Sequence, residues 1–182
     1  MDTVSLSNAF TDPRHLFEHL KQTSLREDLR VYFTLVLATS VLFLLPMYFL
    51  GSEPGMEYST MGLPYIVDIA LATVIQLAWS LVNGAVILLV VSLVEHFFLL
   101  FVDENRGFER TMKSAVYALV PAILFGWAVA VVPHAGLLLL VCFSLITYVG
   151  TRVFHEKSRD RAAFVALATG AALLAFCARW VL

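Results

Sequence analysis

Charged side chains are scarce in this sequence, at 14% of 182 residues against about a quarter in a typical soluble protein. Hydrophobic residues make up 60% of the chain, and the mean hydropathy is +0.84. One core of this length cannot enclose so much apolar surface, so the composition argues against a soluble domain and predicts an integral membrane protein. The formal net charge of −2 argues against a nucleic-acid partner, which would require a basic surface.

Cysteine and recognisable catalytic motifs are also nearly absent. Cys142 and Cys177 both lie in apolar runs, which favours buried, reduced thiols over a disulfide or a metal pair. The sequence contains no G-x-S-x-G, no H-E-x-x-H and no phosphate-binding loop. We therefore expect no catalytic residues, no cofactor and no bound metal, and we expect that the protein is not an enzyme.

Long apolar stretches, by contrast, are plentiful, and five of them can cross a bilayer as helices of about 20 residues. A proline and a glycine in 133–136 mark a tight hairpin between the third and fourth. The predicted fold class is an all-α integral membrane protein, a bundle of five transmembrane helices in residues 31–182 that follows a cytoplasmic segment, residues 1–30. The predicted spans are about 31–50, 69–94, 114–133, 137–154 and 162–180.

Basic residues are distributed very unevenly between the segments that connect these spans. Eleven of the 12 Lys and Arg residues fall in 1–30, 103–113 and 152–161, and only Arg179 lies on the other side. The positive-inside rule then predicts a multi-pass protein of the cell membrane with its N-terminus in the cytoplasm and its C-terminus outside.

The N-terminal segment has the pattern of a short amphipathic helix. Leu16, Phe17 and Leu20 form an apolar face opposite charged residues, which predicts a helix lying in the membrane interface. It serves either as an anchor or as a binding site for a partner. Ser24 and Glu27 have the spacing of a capping box, which predicts that the first membrane helix begins at Leu25.

Polar residues inside the second span are candidate functional positions, because such groups are costly in a membrane. Gln76, Ser80 and Asn83 fall within about 60° of one another on a helix and share a stripe. The stripe either forms hydrogen bonds between helices or binds a solute. Glu95 and His96 lie more than about 20 residues after the start of the span, where we expect the inner headgroups. Being adjacent, they point about 100° apart, which is poor spacing for a shared metal.

The segment 107–121 brings charge directly against the third span. Arg110 and Lys113 lie at the N-terminal end of that helix, where the helix dipole disfavours cations, so we expect them to contact anionic headgroups on the cytoplasmic side. Pro121 removes a backbone donor and frees the carbonyl of Tyr117. The resulting kink either serves packing or helps to form a binding site that faces the cytoplasm. In the fifth span, small residues at Ala162, Ala166 and Gly170 predict close helix packing, within one chain or between copies.

Three stretches together resemble the Yip family (Ypt-interacting membrane proteins) in its prokaryotic form: "DPRHLFEHL", "LVEHFFLLF" and "GFERTMKSAVYALVP". The resemblance covers nearly the whole chain and implies five membrane helices, a cytoplasmic N-terminus and no established catalysis. In eukaryotic members it also implies contacts with Rab-type GTPases. The Asp-Leu-Tyr-Gly-Pro motif of those members is absent from this sequence.

These patterns favour a non-catalytic membrane protein that acts as a scaffold or regulator of membrane partners or of bilayer organisation. A small transporter or channel that uses the stripe of the second span is one alternative, and an accessory subunit of a larger membrane complex is another. The expected partners are the bilayer itself and a membrane protein or a second copy of the chain.

Overall fold

The computed structural model describes residues 17, 18, 20–50, 65–102 and 107–181, and this part of the chain is entirely helical in its regular structure. The predicted all-α class is therefore confirmed. Leu16 and the rest of the predicted N-terminal helix before Phe17 lie outside the described residues. Within them, the helices are α1 (Leu25–Leu50), α2 (Tyr65–Phe101), α3 (Phe108–Phe125), α4 (Ala128–Val131), α5 (Ala135–Phe154) and α6 (Arg159–Val181).

Helix α1 begins where the capping box predicted. The backbone N–H of Ser24 donates to Glu27 Oε2 at 3.1 Å, and the backbone N–H of Glu27 donates to Ser24 Oγ at 3.3 Å. The two residues therefore satisfy each other's free donors at the helix start, so the predicted start at Leu25 is confirmed.

Helix α2 is longer than the predicted span of 69–94. It runs for 37 residues, which corresponds to about 55 Å at 1.5 Å per residue, and a hydrocarbon core is about 30 Å thick. The helix continues through Glu95 and His96 to Phe101 because the sequence places no proline or glycine there.

The predicted third span, 114–133, is divided in the structure. Helix α3 runs through Pro121 and ends at Phe125, and the four-residue α4 follows after a turn at Gly126 and Trp127. A Cβ on Gly126 would lie 2.5 Å from the Ala122 carbonyl oxygen, a distance that only glycine tolerates. The regular helix therefore ends at the glycine and not at the proline.

The hairpin before α5 is a turn, as predicted. His134 adopts a left-handed backbone conformation with φ of 62°, and α5 begins immediately afterwards at Ala135, two residues before the predicted 137.

Four helices pack in a closed cycle, in which α2 contacts α3, α3 contacts α5, α5 contacts α6, and α6 contacts α2. Helix α1 packs against both α2 and α3. The row of small residues on α6 faces this bundle: Ala162 and Ala166 are buried, and a Cβ on Gly170 would lie 2.4 Å from Ser144 Oγ on α5. The row therefore serves packing within one chain.

The surface of the bundle is strongly apolar. Ala70–Phe101 and Ala135–Phe154 are long and apolar enough to cross a membrane, with mean hydropathies of 2.4 and 2.0. Only 33% of each is buried inside the protein, whereas the core helix of a soluble protein would be mostly buried. Large side chains such as Leu138 (66% exposed) and Leu167 (70% exposed) point outward. This distribution indicates association with a membrane.

Candidate functional site

A cleft of about 540 Å³ lies between α1, α2 and α3. The whole predicted stripe lines it, so Gln76, Ser80 and Asn83 do share one face of α2. Thr39 and Ser40 of α1 contribute hydroxyl groups from the opposite wall. The rest of the lining consists mainly of apolar and aromatic side chains, among them Val36, Phe43, Trp79, Ile87, Leu119, Ile123 and Trp127.

The serine and threonine hydroxyl groups of the cleft are bonded to their own helices. Ser80 Oγ donates to the Gln76 carbonyl at 2.9 Å, and Ser40 Oγ donates to the Val36 carbonyl at 2.7 Å. A hydrogen bond between helices comes from Tyr32, whose hydroxyl donates to the Gly84 carbonyl at 2.9 Å. Gln76 is exposed and Asn83 is partly exposed, so their amide groups are accessible from outside the protein.

An apolar layer adjoins the cleft and shares three residues with its lining. Its members are buried and come from α1, α2, α3 and α5: Tyr32, Val36, Leu88, Val91, Ala115, Val116, Ala118, Leu119 and Phe143. On α2, Leu88 and Val91 (each 3% exposed) separate the cleft residue Gly84 from Glu95. The cleft and the polar groups beyond this layer are therefore separate regions.

Beyond the layer lies a set of fully buried polar side chains, which we call the polar interior. Each of its members is 0% exposed, and together they are Ser92, Glu95, Thr111, Ser114, Thr147, Thr151 and Thr169. Sequence reasoning placed Glu95 at the depth of the headgroups, but its side chain is enclosed by protein. The enclosure comes from the cyclic packing of α2, α3, α5 and α6, which no local pattern reveals.

His96, the other candidate in this part of α2, reaches the same region from the side. Its Nδ1 lies 3.1 Å from Thr111 Oγ1, and His155 Nε2 lies 3.4 Å from the same hydroxyl group. The His96 ring also packs edge-on against Phe108. The described residues contain no group of three or more His, Cys, Asp or Glu side chains that could hold a metal ion.

A second polar group joins the start of α1 to α3, and we call it the clasp: Thr23, Asp28, Lys113 and Tyr117. Tyr117 donates its hydroxyl to Asp28 Oδ1 at 2.6 Å, and Thr23 Oγ1 donates to the same oxygen at 2.9 Å. Lys113 Nζ lies 3.5 Å from Asp28 Oδ2 and also donates to the carbonyls of Leu20 and Thr23. Lys113 and Asp28 are both buried, so the clasp is an internal ion pair.

The N-terminal residues held by the clasp pack on protein. Phe17 and Leu20 are buried against Val153 and Phe154 at the end of α5. The Phe17 ring lies edge-on to Phe154, with ring centres 5.6 Å apart, and Lys21 forms an ion pair with Glu156. The described part of the predicted amphipathic face is therefore covered by the bundle, and not turned toward lipid.

Arg110 and Lys113 both have partners within the protein. Arg110 Nη1 donates to the Phe154 carbonyl at 3.1 Å, at the C-terminal end of α5, where the helix dipole favours a cation. Lys113 Nζ likewise donates to main-chain carbonyls, those of Leu20 and Thr23 at the end of the N-terminal turn. These contacts explain why cations stand at the start of α3. Their predicted contact with anionic headgroups stays a prediction.

Sequence reasoning missed several residues of these sites. Asp28 looked like an ordinary acidic residue in a first helical turn, because its partner Lys113 is 85 positions away. The hydroxyl residues of α5 offered a local signal: Ser144, Thr147 and Thr151 recur at helical spacing along one face. That spacing predicts a polar face turned toward protein.

Comparison with known proteins identifies the family of the chain. No curated protein and no solved structure is significantly similar to the chain. The model of one protein family, the Yip1 domain, matches residues 7–179, which is almost the entire sequence. The match includes the clasp, the cleft and the polar interior, and with it the expected Yip resemblance is confirmed. The chain belongs to the Yip1 domain family.

Proposed function

We propose that this protein is a non-catalytic, multi-pass protein of the cell membrane that binds a membrane-embedded partner in its cleft and thereby acts as a scaffold or regulator. Five crossings are formed by α1, α2, α3 with α4, α5 and α6, with the N-terminus in the cytoplasm and the C-terminus outside. The apolar surface of the bundle and the uneven distribution of Lys and Arg support this arrangement.

The proposal of partner binding rests on one observation. The polar side chains of the cleft are accessible, while the rim of the cleft is apolar. Trp79 is 60% exposed and Phe43 is 47% exposed beside the exposed Gln76. A water-soluble ligand gains little from such a rim. A transmembrane helix with a polar side chain fits it, because its apolar surface contacts the rim and its polar group pairs with the amides inside.

The occupant is a helix of another membrane protein or of a second copy of this chain. Hydrogen bonds between helices in a membrane contribute about 0.6 kcal/mol on average, so affinity rests mainly on packing against the aromatic rim. The amide groups then select which helix binds. In this proposal the cleft is a selective binding site for a helix, and partner binding requires no cofactor.

A transporter is the second candidate, and the polar stripe favours it. The apolar layer between the cleft and the polar interior argues against it, since a solute has to cross Leu88 and Val91. Reconstitution in liposomes distinguishes the two functions. Solute flux that disappears in the Gln76→Leu variant would support transport and contradict the scaffold.

Photo-crosslinking tests the scaffold directly. A photoreactive residue at Trp79, on the cleft rim, should yield a defined protein adduct in native membranes, identified by mass spectrometry. The matched control is Leu138, which is similarly exposed (66%) but lies on α5, away from the cleft. Equal adducts at both positions would contradict a specific cleft partner.

Contact with anionic lipid is a further part of the proposal, and the exposed basic residues are its natural carriers. Arg26, Arg30, Arg159 and Arg161 are exposed, whereas Lys113 is buried in the clasp. Each basic residue near an anionic surface contributes about 1 kcal/mol. For the protein embedded in nanodiscs, replacing Arg26 and Arg30 with Gln should therefore reduce the thermal stabilisation gained from anionic lipid more than Lys113→Gln does.

Cysteine labelling tests the orientation. In a variant without native cysteines, a cysteine at His134 should react with a membrane-impermeant reagent added outside intact cells. A cysteine at Ser158, also exposed, should react only after permeabilisation. Labelling of Ser158 from outside would overturn the proposed topology.

A further inference from the structure

Glu95 is enclosed in the polar interior without a bonding partner among the described residues. Its side chain is 0% exposed, and neither carboxylate oxygen accepts a hydrogen bond. Burying an ionised carboxylate is very unfavourable unless a positive charge or several donors compensate it. The arrangement therefore calls for a group that the protein chain does not supply.

Other oxygen atoms surround this carboxylate. The hydroxyl groups of Ser114 on α3 and Thr151 on α5 lie beside it, although neither is in hydrogen-bonding geometry with it. Both residues are 0% exposed, and neither hydroxyl has another partner in the described structure. The helices that carry them approach closely, since a Cβ on Gly150 would lie 2.4 Å from Ser114 Oγ. Three helices thus bring unbonded oxygen atoms to one enclosed place.

The cationic side chains near this place are engaged elsewhere. Lys113, next to Ser114 in sequence, pairs with Asp28 in the clasp. Arg110 donates to the Phe154 carbonyl, and His96 contacts the Thr111 hydroxyl. The positive charges of the adjoining helix ends are therefore directed away from Glu95.

We propose that Glu95, Ser114 and Thr151 form a binding site for a small monovalent cation such as Na⁺. Carboxylate and hydroxyl oxygens are the hard ligands that such ions prefer, and one carboxylate balances one positive charge. A proton is the competing occupant, because it also neutralises a buried carboxylate, and the response of the thermal midpoint to Na⁺ distinguishes the two. A divalent ion lacks a second carboxylate, since the described residues contain no larger acidic or histidine cluster.

A cation at this site bridges α2, α3 and α5, so its binding should stabilise the folded bundle. The test uses the full chain in nanodiscs of neutral lipid at mildly alkaline pH, with NaCl replacing choline chloride at constant ionic strength. We expect the thermal midpoint to rise by about 5–10 °C once Na⁺ exceeds its dissociation constant roughly a hundredfold. A similar rise with K⁺ supports the same site with lower size selectivity.

Two variants locate the effect. Glu95→Gln keeps the side-chain shape and removes the charge, so its midpoint should not respond to Na⁺. Ser114→Ala should raise the Na⁺ concentration for half the shift by about tenfold, the equivalent of one lost ligand of about 1.4 kcal/mol.

Ser92→Ala is the matched control for both. Ser92 is also fully buried on α2, but its hydroxyl donates to the Leu88 carbonyl at 2.7 Å, so its loss should leave the Na⁺ response unchanged. If Glu95→Gln does not fold, the comparison of Ser114→Ala with Ser92→Ala still tests whether the Na⁺ response depends on the proposed site. Equal midpoints of the wild type in Na⁺ and choline, or an equal Na⁺ response in Glu95→Gln, would overturn the site and leave Glu95 as a protonated structural group.

Discussion

The cleft and the polar interior are both rich in polar side chains, but these side chains differ in how they are hydrogen-bonded. In the cleft, Ser80 and Ser40 donate to carbonyls of their own helices, and the Gln76 amide is exposed. In the clasp, Asp28 and Lys113 are buried and pair across helices, whereas most polar groups of the polar interior are buried without a hydrogen-bond partner among the described residues. Polar groups that are satisfied within one helix can be replaced without disturbing the fold. Polar groups shared between helices hold the fold together.

The clasp should show the largest penalty, because there a buried charge would lose its partner. Lys113→Met leaves Asp28 buried and unpaired, which we expect to lower the free energy of unfolding by about 3 kcal/mol. Chemical denaturation in detergent measures the change. Arg161→Met is the control, because Arg161 is exposed and should matter by less than about 0.5 kcal/mol.

A double variant sharpens this prediction. Replacing Asp28 with Leu in the Lys113→Met background removes the remaining charge and should recover part of the lost stability. No recovery would mean that Asp28 stabilises the fold through Thr23 and Tyr117, and not through the ion pair.

Two glycines on neighbouring helices offer a graded test of packing around the polar interior. A Cβ on Gly150 would lie 2.4 Å from Ser114 Oγ and 3.2 Å from Ser114 Cβ, so rotation of the serine cannot relieve the contact. We expect Gly150→Ala to destabilise the protein by about 1–3 kcal/mol. Gly170→Ala meets Ser144 Oγ at 2.4 Å but Ser144 Cβ at 3.6 Å, so rotation relieves most of it.

The same thermal or chemical unfolding measurement compares the two variants. Gly170→Ala should be nearly neutral, because alanine also has the higher helix propensity by about 1 kcal/mol. A larger loss for Gly170→Ala than for Gly150→Ala would show that α5 and α6 are the more tightly packed pair.

The cleft should tolerate replacement of its polar groups. Gln76→Leu is expected to change the free energy of unfolding by less than about 0.5 kcal/mol, because Gln76 is exposed. Asn83→Leu, at a partly exposed position, should cost about 1 kcal/mol at most. Under the proposed function both variants retain less partner after gentle purification. A folded variant with full partner retention would contradict the role of the amides.

The smallest expected effect is at the capping box. Hydrogen bonds from the Ser24 backbone and hydroxyl lower the pKa of the Glu27 carboxyl below its ordinary value of 4.5. Its folded-state pKa is depressed, so the stabilisation is present above about pH 4.5 and disappears as the pH falls through the folded value. The midpoint difference between wild type and Glu27→Gln should accordingly shrink on acidification. A difference that persists at low pH would assign the effect to shape and not to charge.

Much of the fold could be predicted from the sequence because its signals are local. The capping box set the start of α1, and apolar runs indicated each long helix. The stripe of Gln76, Ser80 and Asn83 was placed correctly on one face because the helical period fixes it. The end of α3 at Phe125 was missed, because the apolar run predicted one kinked span over 114–133 and the close approach of Gly126 to Ala122 is not visible in sequence.

The contacts of the polar interior and the clasp could not be predicted, because they depend on long-range pairing. Glu95 needs α3 and α5 to enclose it, and Asp28 needs Lys113. Charge at the start of α3 suggested lipid as the partner, since the dipole argument considered one helix alone. The carbonyls that receive Arg110 and Lys113 belong to other segments.

The docking of Phe17 on Phe154 has a consequence for the order of events during synthesis. These residues are 137 positions apart, so at 5–20 residues per second the ribosome needs about 7–27 s to supply the second after the first. During that interval the N-terminal segment is made but has no docking surface. Its closure on the bundle therefore marks the completion of α5, as a late step in the assembly of the protein.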